Sequence, residues 1–326
     1  MKRSILIFFL LSTFILLNSC QKDVDLVVPN GTTIGADTNW VATISASSPV
    51  SELKHALNRD FFTDSIDCST GGTINTQEGL TLILPPQSLQ LSNGLPAAGK
   101  IYAESMLINQ RGDMVKMDRP TTSNNRLLTS GGEIFVKLRK DAEELHLAPG
   151  KRIYLKYADP SPSTGMRIFY GDENNPDRFN WLPNQDSAGI NTSIQGGFTG
   201  YELSSGNLRW INCDRFTDTS GTRVNIVASL PIDYTNANTV VYLVFHDIKS
   251  VMNMYGDAAT KKFSSPKIPS GKAITLVSIT KKSSNSYYLG YENVISGQTG
   301  TTSGQIVPLT PHPTSLPDIR VYLSTL

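Results

Sequence analysis

Apolar and polar residues alternate one by one along most of the chain, the period of a strand that turns one face to a core. The alternation runs through residues 80–84, 100–108, 133–139, 152–157, 224–230, 240–247, 273–280 and 319–323. Within 133–139, Ile134, Val136 and Leu138 share one side while Glu133, Lys137 and Arg139 lie on the other, which predicts a strand with one wet face. Turn signals separate the runs: Asn93-Gly94, Gly131-Gly132, Pro149-Gly150 and Ser270-Gly271. One helical turn is predicted over residues 50–57, where Leu53 and Leu57 stand at i and i+4 and Ser51 is placed to cap. Elsewhere no long amphipathic helix is readable. Short strands without helices to cover a parallel sheet predict an all-β fold of antiparallel sandwiches.

Two such sandwiches are expected. Gly150-Lys151-Arg152-Ile153-Tyr154-Leu155 and Gly271-Lys272-Ala273-Ile274-Thr275-Leu276 share G-K-x-I-x-L about one sandwich length apart. Prolines and small residues in 159–165 stop any strand and mark the expected boundary. The resulting division is a segment 1–19, a tether 20–57, a first sandwich 58–160 and a second β-rich domain 161–326. Residues 21–49 carry no helical period and are rich in Thr, Ser, Ala and Gly, the composition of a spacer.

The first segment has a distinct pattern. Lys2 and Arg3 precede an apolar run from Ile5 to Leu17, shorter than the roughly 20 residues that cross a bilayer as a helix. Leu17-Asn18-Ser19-Cys20 at its end resembles the cleavage site of a bacterial lipoprotein signal peptide. The resemblance implies cleavage after Ser19 and acylation of Cys20, with several acyl chains holding the protein to a membrane. Gln21 after the cysteine resembles lipoproteins sorted to an outer membrane, and Lys22-Asp23-Val24-Asp25 resembles export tags that lead onward to the cell surface.

Charge narrows the partners. The formal net charge is +1, and cleavage would remove Lys2 and Arg3, so a nucleic-acid partner has no basic surface to bind. Charged residues make up only 17% of the chain, consistent with many polar turns rather than a coiled coil. With Cys20 assigned to lipid, Cys68 and Cys213 remain as either a disulfide in an oxidising compartment or two separately buried thiols, and the sequence leaves both open.

Gly71-Gly72-Thr73-Ile74, followed by Gly79-Leu80-Thr81-Leu82-Ile83-Leu84-Pro85-Pro86-Gln87-Ser88-Leu89, resembles the opening of the β-sandwich domain shared by zonula occludens proteins, netrin receptors and ankyrins. Gln87-Ser88 departs from the Gly-Ala usual in that family. The resemblance implies a fold and a binding style, since those domains mediate protein contacts and carry no catalytic residues. The stretch 208–216 is also similar to segments of secreted envelope lipoproteins.

Catalytic signatures are few. Gly94-Leu95-Pro96-Ala97-Ala98-Gly99-Lys100 has phosphate-loop spacing, but Ile101 stands where a hydroxyl is required and a strand follows instead of a helix. His55, His146, His246 and His312 are widely spaced, so no metal or triad set is readable, and no cofactor is expected. Asp172, Asn174 and Asp177 concentrate hard oxygen ligands in one loop, but without the Gly and Glu of a helix-loop-helix calcium site they read first as a polar turn. Arg111-Gly112-Asp113 is the tripeptide that integrins read in a loop, and short enough to arise by chance. Trp181, Tyr287 and Tyr288, with Tyr291 nearby, are the candidate aromatic faces for a ligand, whereas Trp210 is expected in the core.

The expectation is a non-enzymatic, lipid-anchored envelope protein that acts as a protein-interaction or structural module. Surface carbohydrate binding is the alternative. A third reading is an envelope hydrolase whose carboxylates the fold brings together.

Overall fold

A computed structural model of the chain describes residues 40–174, 178–184, 190–193, 199–217, 220–283, 285–298 and 304–326. Residues 1–39, Cys20 among them, and Asp177 lie outside the described residues. The fold is all-β, with three short helices among the described residues: α1 (Pro49–Leu57), α2 (Arg111–Lys116) and α3 (Leu316–Leu323). No described helix is long and apolar enough to cross a membrane.

The longer strands are β1 (Phe62–Asp67), β2 (Gly72–Asn75), β3 (Leu80–Leu84), β4 (Lys100–Ile108), β5 (Arg126–Lys140), β6 (Ile153–Ala158), β7 (Arg167–Asp172), β8 (Asn180–Pro183), β9 (Ile190–Ser193), β10 (Gly200–Ser205), β11 (Arg209–Phe216), β12 (Ile226–Ser229), β13 (Thr239–Phe245), β14 (Ser250–Asp257), β15 (Lys262–Ser264), β16 (Ala273–Ser283), β17 (Ser286–Ile295), β18 (Gln305–Pro308) and β19 (His312–Thr314). They form three principal sheets. The outer sheet runs β9-β10-β6-β3-β2, the middle sheet β1-β4-β5-β11-β7-β8, and the curled sheet β18-β12-β15-β14-β13-β16-β17-β19. Pairing is antiparallel throughout these sheets except between β12 and β18.

Three apolar cores follow from this stacking. Leu82, Leu155 and Leu203 of the outer sheet meet Ile134, Val136 and Ile211 of the middle sheet in the first. Phe135, Phe169, Trp181 and Trp210 on the other side of the middle sheet meet Tyr242, Val244 and Val277 in the second, which the three helices close. Leu243, Phe245, Met252, Leu276 and Val307 fill the inside of the curl. Two sheets are therefore covered on both faces, which is why β13 is buried at every position.

This layering corrects three expectations. The wet face predicted for residues 133–139 does not exist at Glu133, which is 0% exposed because the curled sheet covers that side. The loop 159–165 is not a boundary: β6 before it pairs with β10 after it, and β5 pairs with β11. Gly131-Gly132 is not a turn but an irregularity inside β5, opposite a register shift at Cys213/Asp214. A side chain at Gly131 would meet the Cys213 carbonyl and the Tyr201 ring at 2.9 Å, so only glycine lets the outer sheet close down there.

The ends of the described chain are docked. Trp40 packs on Phe263 with ring centroids 5.0 Å apart, and Val41 exchanges hydrogen bonds with the Asn236 side chain at 3.0 and 2.7 Å. From Trp40 to Leu57 the segment expected as a spacer is therefore docked on the fold. Ser48, not Ser51, caps α1 by accepting from the Ser51 N–H. Residues 319–323 form part of α3 and not a strand, because Ser315 caps its start, Pro317 sits in its first turn, and Ile319 and Leu323 fall on one helical face in the second core. The two G-K-x-I-x-L segments share a local device, a left-handed glycine (φ +74° and +81°) opening a strand, in two different sheets.

A charged groove around Arg209

A two-lobed groove lies along the middle sheet where β11 begins. One lobe has a volume of about 420 Å³ and includes Lys54, Phe61, Asp118, Arg119, Phe135 and Lys137 in its wall. The second, about 340 Å³, is lined by residues that include Leu145, His146, Tyr170 and Asn207. Glu173, Arg209 and Trp210 belong to both.

Arg209 divides the lobes. Its backbone is left-handed (φ +69°), an uncommon state for a residue with a side chain, placed where the loop 206–208 delivers the chain into β11. The guanidinium donates through Nε and Nη2 to the two Glu173 oxygens at 2.7 and 2.9 Å, and through Nη1 to Glu144 at 3.2 Å. It also lies over the Phe135 ring at 5.3 Å. Asp118 in the first lobe is left-handed as well (φ +50°). Strained backbone of this kind persists only where surrounding contacts hold it, and it concentrates at binding sites.

Two further groups fix the first lobe. Arg119 is sandwiched between Phe179 and Trp210, 4.3 and 4.4 Å from their centroids, and donates to the carbonyls of Met117 and Asp118 at 3.1 Å. Burial draws its basicity down. Burial alone would raise the Asp118 carboxyl, but the Lys54 ammonium at 2.7 Å and the Tyr242 hydroxyl, which donates at 2.7 Å, hold it below the usual range. Glu104 pairs with Lys137 and Arg139 at 3.6 and 3.4 Å. The acids Glu104, Asp118, Glu144 and Glu173 lining this groove are thus each engaged by a cation.

Behind the groove lie two sealed acids. Among the described residues Glu133 has both carboxylate oxygens buried without a hydrogen-bond partner, and Asp214 has one such oxygen while the other accepts from Asn212 at 2.8 Å. Burial pushes both carboxyls well above the ordinary range, and for Glu133 the neighbouring Asp214 adds to the effect while Arg119 opposes it.

The aromatic candidates are redistributed. Trp181 is 0% exposed and offers no face to a ligand, because β8 turns it into the second core, where its Nε1–H donates to the Pro120 carbonyl at 3.0 Å. Tyr287 packs partly against the same core. Tyr288 lies edge-on to Tyr234 at 5.9 Å, with the Lys282 ammonium over both rings. Tyr291 is the exposed member of the group, and Trp210 is in the core as expected.

Other candidates are spent on structure. Asp172 accepts from the Asn174 backbone and side-chain amides at 3.1 and 2.8 Å, a local turn. No group of three or more His, Cys, Asp or Glu suited to a metal ion comes together among the described residues. Cys68 and Cys213 are both buried in the first core as free thiols, so the structure has the unbridged alternative. Arg111-Gly112-Asp113 opens α2 rather than a loop: Arg111 donates to the Phe245, His246 and Ile248 carbonyls, Gly112 is buried, and Asp113 pairs with Arg59 and Lys116.

Asp118, Arg119, Glu133 and Arg209 were not legible in the sequence as site residues, Glu133 reading only as part of a wet strand face. The one available signal for the first three was a charge flanked by apolar residues that a second covering layer would bury. No known family model matches the chain, and no curated protein sequence matches it.

Proposed function

We propose that this protein is a lipid-anchored component of a bacterial envelope that acts by binding, and that the groove around Arg209 receives a charged segment of a protein partner. The observation that carries the reading is the Arg209 network. Two carboxylates hold a left-handed arginine at the junction of two open lobes, and a partner's own carboxylate or guanidinium can exchange into such a network without new desolvation. The faces of Phe135 and Trp210 are occupied by Arg209 and Arg119, which disfavours sugar stacking in this groove.

Binding is favoured over hydrolysis because the groove's four acids are matched to cations, while the two carboxyls with raised affinity for a proton, Glu133 and Asp214, have no exposed surface. The anchor rests on the Leu17-Asn18-Ser19-Cys20 sequence, and delivery to the outer membrane and cell surface on the residues that follow it. The likeness of residues 71–89 to a protein-binding β-sandwich domain points the same way. Affinity isolation from cells, comparing the full-length protein with Arg209→Glu, tests the reading. A stoichiometric protein that the variant loses supports it, and an identical set of co-isolated proteins counts against the groove.

A further inference from the structure

A second surface, on the curled sheet, has different chemistry. Tyr291 of β17 is 55% exposed and stacks on Tyr322 of α3, with centroids 4.8 Å apart and planes 21° from parallel. Stacking covers one face of the Tyr291 ring and orients it, leaving the side chain more than half open to solvent. Neither hydroxyl of the pair makes a hydrogen bond among the described residues.

Asn293 follows two residues along β17, on the same face and about 7 Å away along the strand. A hydrogen-bond relay holds it. The buried Thr275 hydroxyl, opposite Asn293 in the ladder, donates to Asn293 Oδ1 at 2.6 Å and lies 2.7 Å from His246 Nε2. Because the hydroxyl hydrogen is committed to Asn293, His246 Nε2 must be the donor to Thr275. Among the described residues the two Asn293 amide hydrogens meet no acceptor, and in neutral imidazole the relay leaves His246 Nδ1 as an acceptor. Both residues are exposed.

Glu292, between Tyr291 and Asn293 in the chain, alternates onto the opposite face of β17. Lys272 pairs with Asp247 at 2.6 Å, and Arg111 is committed to three backbone carbonyls. An oriented ring face beside amide donors and an imidazole acceptor, with the neighbouring Glu292 turned to the opposite face of the strand, fits the apolar face and equatorial hydroxyls of a neutral pyranose. We infer that Tyr291, Tyr322, Asn293 and His246 form a platform for a neutral glycan, separate from the Arg209 groove and independent of what that groove binds.

The test is native electrophoresis of the full-length protein in nonionic detergent through gels cast with one neutral polysaccharide each: glycogen, xylan, galactomannan and mixed-linkage β-glucan. Retardation is expected in at least one gel. Tyr291→Ala and Asn293→Ala should each weaken it about tenfold, while Tyr291→Trp retains it, as does Leu95→Ala at an exposed turn elsewhere. Should Tyr291→Ala lose its thermal transition, Asn293→Ala decides the matter. Arg209→Glu should leave retardation unchanged, which separates this surface from the groove. Absence of wild-type retardation in all four gels overturns the inference, as does equal retardation of a folded Tyr291→Ala.

Discussion

At Glu133 the middle sheet carries a carboxyl whose oxygens meet no donor and no water-accessible surface. The folded protein therefore keeps this proton to higher pH than the unfolded chain, whose carboxyl titrates near 4.5. Over that interval the native state binds more protons than the unfolded state, so stability falls as pH rises and the loss is complete above the folded-state value. Glu133→Gln should be close to wild type in stability at pH 4 and more stable at pH 8, by about 1–3 kcal/mol, read by urea unfolding at the two pH values. A wild-type advantage at pH 8 would mean that Glu133 is charged and paired in the native protein. The thiols give a second residue-scale expectation. Burial pushes Cys68 and Cys213 up, so neither should react with a thiol reagent in the native protein, and both should react in denaturant without any reductant. Neither property was legible from local pattern. Alternation told correctly that Glu133 and Ile134 point opposite ways, but not that both sides of the sheet are dry.

Among the elements, α2 and α3 show how little room the helical layer leaves. A β-carbon on Gly112 would fall 1.6 Å from the Leu323 carbonyl oxygen, a contact with backbone that cannot swing aside. Alanine gains about 1 kcal/mol of helix propensity over glycine, whereas forcing extra volume into a packed contact costs about 1–3 kcal/mol, so Gly112→Ala should be net destabilising. Hydrogen exchange should show residues 316–326 losing protection first, since α3 is held at this contact. On β8, Trp181→Ala should cost about 3–5 kcal/mol in denaturant unfolding, the price of a cavity in the second core. Strand existence was readable where alternation met a turn signal, as in β6 after Pro149-Gly150 and β16 after Ser270-Gly271. The misreading of α3 as a strand has a physical origin: in a segment so short, Ile319, Val321 and Leu323 satisfy alternation, and Ser315, Pro317 and Asp318 alone carry the helical signal.

For the whole molecule, the middle sheet is the organising element. It closes the first core with one face and the second with the other, and Thr121 ties it to the curled sheet through hydrogen bonds with Ser250 and Val251. Cores that share a sheet should unfold together, so calorimetry should give one transition with equal calorimetric and van't Hoff enthalpies. Two resolved transitions would restore the picture of independent sandwiches. The sequence suggested an all-β chain but could not report which strands from its two halves lie side by side, and the boundary drawn at 159–165 failed for that reason. The groove was hidden likewise, because Lys54, Asp118, Lys137, Glu173 and Arg209 come from segments that only the layering brings together. The most direct test of its role is in-cell photo-crosslinking of the full-length protein with the photoreactive residue placed at Lys137 or, as control, at Leu95. The account predicts a discrete crosslinked protein from position 137, absent at 95 and abolished by Arg209→Glu. The same products from both positions, or none from position 137, would contradict it.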